Sequence, residues 1–142
     1  MKIVVVAHCL LNPGVRVRGF PVKKHNFGEN IIQLPCPESI YFGALRWEVS
    51  KEQLDFPKYR RFCRKLFLPV ADILEIHKEN QITIIGVSKS PSCGAHTTTI
   101  GYKGGRVRET GHEHVLGKGV FFEEIEKELN KRGIKAVYKE LE

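Results

Sequence analysis

Near the amino terminus the chain reads Ile3-Val4-Val5-Val6-Ala7, an apolar, largely β-branched run that no polar residue interrupts. A strand with one wet face alternates apolar and polar residues, so an unbroken run of this kind calls for burial on both faces. Parallel sheets covered by helices offer that setting. Residues Lys2 to Ala7 are therefore read as a first parallel strand, Ile31 to Pro35 as a second, and Ile82 to Val87 as a third and stronger one. Between the last two, residues Lys58 to Glu79 carry Tyr59, Phe62, Cys63, Leu66, Phe67, Val70, Ile73, Leu74 and His77 at helical spacing, the crossover that parallel strands require. Pro69 is expected to kink or divide that helix. Alternation from Thr97 to Arg108 around Lys103-Gly104-Gly105 predicts a β-hairpin. A helix over about Lys118 to Lys131, stopped by Gly133, and a last strand from Ile134 to Tyr138 follow, with Lys139 to Glu142 read as a solvated tail.

This order predicts one α/β domain over residues 1–142, a largely parallel sheet with helices on its faces and an added hairpin. A chain of 142 residues can bury a core without disulfide staples. The first apolar run is cut by His8 and is too short for a signal-peptide core, and no stretch approaches the ~20 apolar residues of a membrane span. A cytoplasmic protein with no membrane partner is expected. The formal charge of +7 favours anionic partners, with Arg16, Arg18, Lys23 and Lys24 in one loop and Arg60, Arg61, Arg64 and Lys65 on one predicted helix. The plainer reading is a solvated basic surface, since no aromatic-interleaved basic patch or RNA-binding motif accompanies these charges.

Without a secretory signal, the four cysteines are read as ligands, reactive thiols or core residues rather than as a disulfide framework. Cys9 stands just past the first predicted strand, Cys36 just past the second and Cys93 a few residues past the third. Parallel strands deliver their carboxyl ends to one edge of the sheet, where ligands bind in open α/β folds. Cys63 differs, because it lies on the apolar stripe of the crossover helix and reads as a small core residue. Three thiolates with an open fourth position are the arrangement of a reactive metal, and soft sulfur donors select zinc, copper(I) or an iron-sulfur cluster. The spacings match no ferredoxin run or zinc-finger pairing. Cys36 is followed by Pro37-Glu38, and Cys93 closes Ser88-Lys89-Ser90-Pro91-Ser92-Cys93-Gly94, a tight loop whose N–H groups are candidates to donate to a cluster or anion. Glu38 would supply a carboxyl for acid-base work and Ser90 a hydroxyl for proton relay. The structural alternatives are a carboxylate at a helix N-terminus for Glu38 and a turn hydroxyl for Ser90.

The segments His8-Cys9-Leu10-Leu11-Asn12, Pro35-Cys36-Pro37-Glu38 and Lys89-Ser90-Pro91-Ser92-Cys93-Gly94 together resemble the signature of the 2-thiouracil desulfurase family. Their order and approximate positions agree along nearly the whole chain, and Gly43-Ala44-Leu45-Arg46 echoes a Gly-x-x-Arg stretch of that family. The resemblance implies a Rossmann-like domain in which Cys9, Cys36 and Cys93 bind a 4Fe-4S cluster with one iron lacking a protein ligand. It implies further that this iron takes the sulfur of a thiolated pyrimidine as a Lewis acid, without net redox, while water replaces the sulfur and sulfide leaves. Glu38 and Ser90 would be the catalytic residues that move protons. This chain has Gly14-Val15-Arg16-Val17-Arg18-Gly19 where family members carry a Cys-Arg-Tyr-like element, which leaves open a different thiolated substrate or sulfur transfer to an RNA base. The alternative is a cluster- or zinc-binding module that acts on RNA.

His112-Glu113-His114 reads as an exposed loop before a helix rather than as a metal site, and His96 as a residue near enough to the cysteines to help position a substrate. A phosphocysteine enzyme is disfavoured. The stretch from Cys9 to Arg16 is one residue longer than the loop of small tyrosine phosphatases, and Pro13 interrupts its N–H donors. Such an enzyme also has no use for Cys36 and Cys93.

Overall fold

The computed structural model describes residues 1–16, 25–28, 30–102 and 112–142. In chain order the strands are β1 (Lys2–Val6), β2 (Ile31–Gln33), β3 (Gln81–Val87), β4 (Thr97–Ile100), β5 (Glu113–Leu116) and β6 (Val137–Leu141). The helices are α1 (His8–Leu11), α2 (Pro37–Phe42), α3 (Lys51–Leu54), α4 (Pro57–Ile76) and α5 (Val120–Lys131), with a 3-10 turn at Pro13–Val15. A four-stranded sheet runs in the order β2-β1-β3-β6 with every neighbouring pair parallel. The two central strands pair from Lys2 with Gln81 to Val6 with Ile85, and their apolar residues are buried. This is the Rossmann-like α/β arrangement that the unbroken β-branched runs require.

The helices divide unequally between the two faces. Ile3, Val5, Ile82 and Ile84 pack against α4 and α5 through Cys63, Phe67, Leu74, Phe121, Phe122, Ile125 and Leu129. Burying each large side chain here is worth about 1.5–3 kcal/mol, so this face supplies most of the stability. On the other face Val4, Val6, Ile85 and Val87 meet Leu10 of α1 and the ring of Phe27. An aromatic cluster then binds α2 to α4: the Tyr41 ring meets Tyr59 edge-on at 5.3 Å and Phe62 at 5.2 Å between centroids. The short helix that carries the Cys-Pro-Glu motif is thus anchored to the longest helix of the fold.

Four local expectations are revised. Pro69 does not divide α4, which runs unbroken from Pro57 to Ile76. The proline lies on the exposed side of the helix, where solvent can satisfy the carbonyl that its missing N–H leaves unpaired. The final strand is displaced toward the carboxyl terminus and takes up most of the expected tail, as Val137–Leu141 pairs with Thr83–Val87. Ile134 is not in that strand because it closes α5: its N–H donates to Leu129 at 2.9 Å, while Gly133, at φ +69°, donates to Asn130 at 3.1 Å. The second arm of the hairpin is Glu113–Leu116, paired antiparallel with Thr97–Ile100, so Glu113 and His114 lie in a strand rather than a loop. The expected turn at Lys103-Gly104-Gly105 lies outside the described residues. Among those residues, no helix is long and apolar enough to cross a membrane.

Candidate metal centre

The strand order makes the location of the site. From β1 the chain moves outward to β2, and from β2 it crosses to β3 on the other side of β1. The carboxyl ends of β1 and β3 therefore flank a topological switch point, where the connections part and leave a crevice. Cys9 emerges there in α1, directly after β1. Cys36 is the N-cap of α2, its Sγ accepting the Ser39 N–H at 3.4 Å in the place usually held by a Ser or Asp oxygen. Cys93 packs against both apolar clusters, which puts it at the edge where the two faces of the sheet meet.

Backbone packing fixes the Cys93 loop. Val87 donates its N–H to the Cys93 carbonyl at 2.8 Å, and the Cys93 N–H donates to the Ser90 hydroxyl at 3.0 Å. Among the described residues, no side chain caps the start of α5; instead Gly119 donates to Gly94 at 2.9 Å, Val120 to Pro91 at 2.8 Å and Phe122 to Ser92 at 3.1 Å. The loop carbonyls thus satisfy amide donors that a helix start leaves unpaired. Contact is too close for side chains at three positions, since a Cβ on Gly86 would overlap the Cys93 carbonyl, one on Gly94 the Thr97 carbonyl and one on Gly119 Ser92. Three further amides, Ala95 at 3.1 Å, His96 at 2.9 Å and Thr97 at 3.2 Å, donate to Glu140 Oε2 of β6. Of the loop amides expected to face a cluster or anion, those of Ser88, Lys89, Ser90, Cys93 and Gly94 donate within the chain.

The three thiols lie within electrostatic reach of one another. Burial pushes the Cys9 thiol up to about 11; Arg16 opposes the shift, while Cys36 and Glu38 add to it. Cys93 is raised well above the usual thiol range by burial first, then by Cys36, Cys9 and Glu38. Acids that penalise one another's ionisation in this way are suited to a cation, because a coordinating metal deprotonates its thiol ligands outright. The donor set is three soft sulfurs, which fits a thiolate-bound metal group held by Cys9, Cys36 and Cys93. Among the described residues, no three His, Cys, Asp or Glu side chains are grouped as ligands of one metal ion. Cys63 is fully buried in the main core, as its place on the α4 stripe predicts.

Glu38 follows Pro37 in the first turn of α2 and is buried. Burial raises its carboxyl pKa and outweighs the opposing effects of Arg46 and the Ser92 hydroxyl. Arg46 Nε stands 3.5 Å from Glu38 Oε1, with the side chains 7% and 11% exposed. Ser92 in turn meets the Tyr59 hydroxyl at 2.9 Å. Ser90 holds the loop by accepting from Cys93, and a hydroxyl that accepts one bond still carries a hydrogen to donate. Sequence reasoning missed Ser92, Tyr59 and Glu140 as site residues and noted Arg46 only within a resemblance. Tyr59 lies on the same apolar stripe as the core residues, so nothing local distinguished its hydroxyl.

The remaining candidates have partners of their own. His96 Nε2 lies 2.9 Å from the Tyr138 carbonyl, and His114 Nδ1 lies 2.9 Å from the Thr99 hydroxyl. The rings of His112 and His114 are 5.1 Å apart on the hairpin. Arg60 is engaged by Asp55 at 2.6 Å and by Glu123 and Glu124 at 2.9 Å each, which leaves Arg61, Arg64 and Lys65 as the exposed part of the basic helix. Arg18, Lys23 and Lys24 lie outside the described residues.

Fold and site together define a Rossmann-like α/β protein with three cysteines gathered at the carboxyl edge of its sheet. The chain belongs to the same family as the uncharacterized protein MJ0003 of Methanocaldococcus jannaschii, with which it is 35% identical over 106 residues, covering 65% of this chain and 67% of that protein. No protein-family model matches the chain. No solved structure matches it.

Proposed function

We propose that this protein is an enzyme that removes sulfur from a thiolated pyrimidine or a similar small thio-compound and releases it as sulfide. The observation that carries the reading is the convergence of Cys9, Cys36 and Cys93 at the switch point with the buried carboxyl of Glu38 beside them. The likeness of the three cysteine segments to 2-thiouracil desulfurases supports it. Cys9, Cys36 and Cys93 would hold a 4Fe-4S cluster that leaves one iron without a protein ligand. Zinc is the alternative occupant, since the same soft sulfurs bind it, and the likeness to the desulfurases favours the cluster. When bound, the cluster would supply a Lewis-acidic iron for the substrate sulfur.

The chain's own residues supply the rest. Glu38 would take a proton from the attacking water at a carboxylate oxygen and return it to the departing group. Arg46 and Ser92 fix the direction of that carboxyl, and the Tyr59 hydroxyl holds Ser92. Ser90 sets the position of Cys93 through its N–H and can pass a proton from its own hydroxyl.

The test is iron and acid-labile sulfide content with the visible spectrum, on protein purified or reconstituted without oxygen, followed by sulfide release from 2-thiouracil. A stoichiometric cluster is expected, with turnover that falls about 100-fold or more in Glu38→Gln while the iron stays. Zinc or no metal under those conditions overturns the cluster. A loaded protein that releases no sulfide from thiolated pyrimidines overturns the activity.

A further inference from the structure

Arg46 is ten residues from Cys36 in sequence and meets it in space. Helix α2 is one and a half turns long, and at Gly43, with φ +97°, the chain leaves the helix and doubles back. The Arg46 N–H then donates to the Gly43 carbonyl at 3.3 Å, closing a turn that sends the side chain back toward the start of the helix. At 1.5 Å of rise per residue such a helix is only about 9 Å long, a span that an arginine side chain can cover. Its guanidinium is buried. Nη2 donates to the Val15 carbonyl at 3.0 Å and reaches Cys36 Sγ at 3.9 Å, while Nε faces Glu38 at 3.5 Å. Among the described residues, Nε and Nη1 are buried without a hydrogen bond, Nε having the ion pair with Glu38 alone. Unsatisfied buried donors on a charged group are costly, so a chain that keeps them has a use for the charge at that point.

We propose that Arg46 is a positioning and charge-compensating residue of the cysteine centre, one guanidinium that fixes the Cys36 sulfur, the Glu38 carboxyl and the segment following Cys9 relative to one another. The inference rests on the reading of the three thiols as metal ligands and names a cation in contact with two of the acidic groups of the crevice, Cys36 and Glu38. A hydrogen-bonding cation beside a ligating sulfur also raises the reduction potential of a cluster, which gives the role a readout apart from turnover.

The experiment compares the full chain with Arg46→Gln and Arg46→Lys. In anaerobically reconstituted protein, iron content and the reduction potential of the centre are measured by dye-mediated titration. Arg46→Gln is expected to lower the potential or to lose iron, and Arg46→Lys, which keeps the charge, to recover part of either loss. In metal-free protein, a double-mutant cycle of Arg46→Gln and Glu38→Gln is read by denaturant unfolding. Coupling of tenfold or more in the unfolding constant is expected from the buried ion pair. If the wild-type chain binds no iron, the metal-ligand reading fails and this cycle alone decides whether Arg46 holds Glu38. An Arg46→Gln protein with unchanged iron content and potential and no coupling to Glu38 overturns the proposal.

Discussion

The hydroxyls of Tyr59 and Ser92 meet at 2.9 Å with both residues buried, and this single contact ties helix α4 to the loop that carries Cys93. Tyr59→Phe keeps the ring among Tyr41, Phe56 and Phe62 and removes only the hydroxyl. It leaves Ser92 short of a partner, so a loss of about 1–2 kcal/mol is expected in urea unfolding. Adding Ser92→Ala to that variant should cost less than either change predicts alone, since the two groups share one bond.

The cysteines should separate cleanly by metal content. Replacing Cys9, Cys36 or Cys93 by Ser is expected to abolish stoichiometric iron binding in anaerobic reconstitution. Cys63→Ala should keep the iron and lose about 1–2 kcal/mol of stability, because it empties a small volume in a close-packed core. A series in which only Cys63 affected iron would refute the assignment.

Gly86 tests whether backbone packing sets the loop. Gly86→Ala places a methyl group against the Cys93 carbonyl and the Phe122 ring, neither of which can swing aside as a flexible side-chain end would. The expected result is a loss of about 3 kcal/mol, together with reduced iron uptake, measured by thermal unfolding and iron assay on the same preparation.

Glu140 makes the loop sensitive to acid. Burial works against its charge, but the N–H groups of His96, Thr97 and Ala95 and the Thr97 hydroxyl hold its carboxyl below the usual range. A group whose folded value is lowered stabilises the fold fully above its unfolded pKa of about 4.3 and loses that contribution as pH falls through the folded value. Glu140→Gln should therefore lower the urea midpoint near neutral pH and weaken the acid dependence below about pH 4.5. A mutant as acid-sensitive as the wild type, with the same midpoint at neutral pH, would exclude this role for Glu140.

Much of the fold was legible because it rests on periodicity. The runs at Lys2–Val6 and Gln81–Val87 lack alternation since both faces are covered, and the α4 and α5 stripes repeat at helical spacing because one side meets the sheet. Strand β6 was misplaced because it is an edge strand, where Lys139 and Glu140 face less of the core and mask the pattern. Strand β5 was missed for the same reason, with Glu113, His114 and Leu116 exposed.

What the sequence alone determined is the sheet and its consequence: three cysteines placed just past three parallel strands must come to one edge, because parallel strands end on the same side. What only the tertiary structure decided is the company they keep. Arg46 returns along α2 to Cys36 and Glu38, Tyr59 reaches Ser92 from another element, and Glu140 fills the amides after Cys93 from the far edge of the sheet. These contacts join residues whose separations carry no period of 2 or 3.6, so no local pattern announces them; they exist because packing the helices onto the sheet leaves those polar groups few other partners.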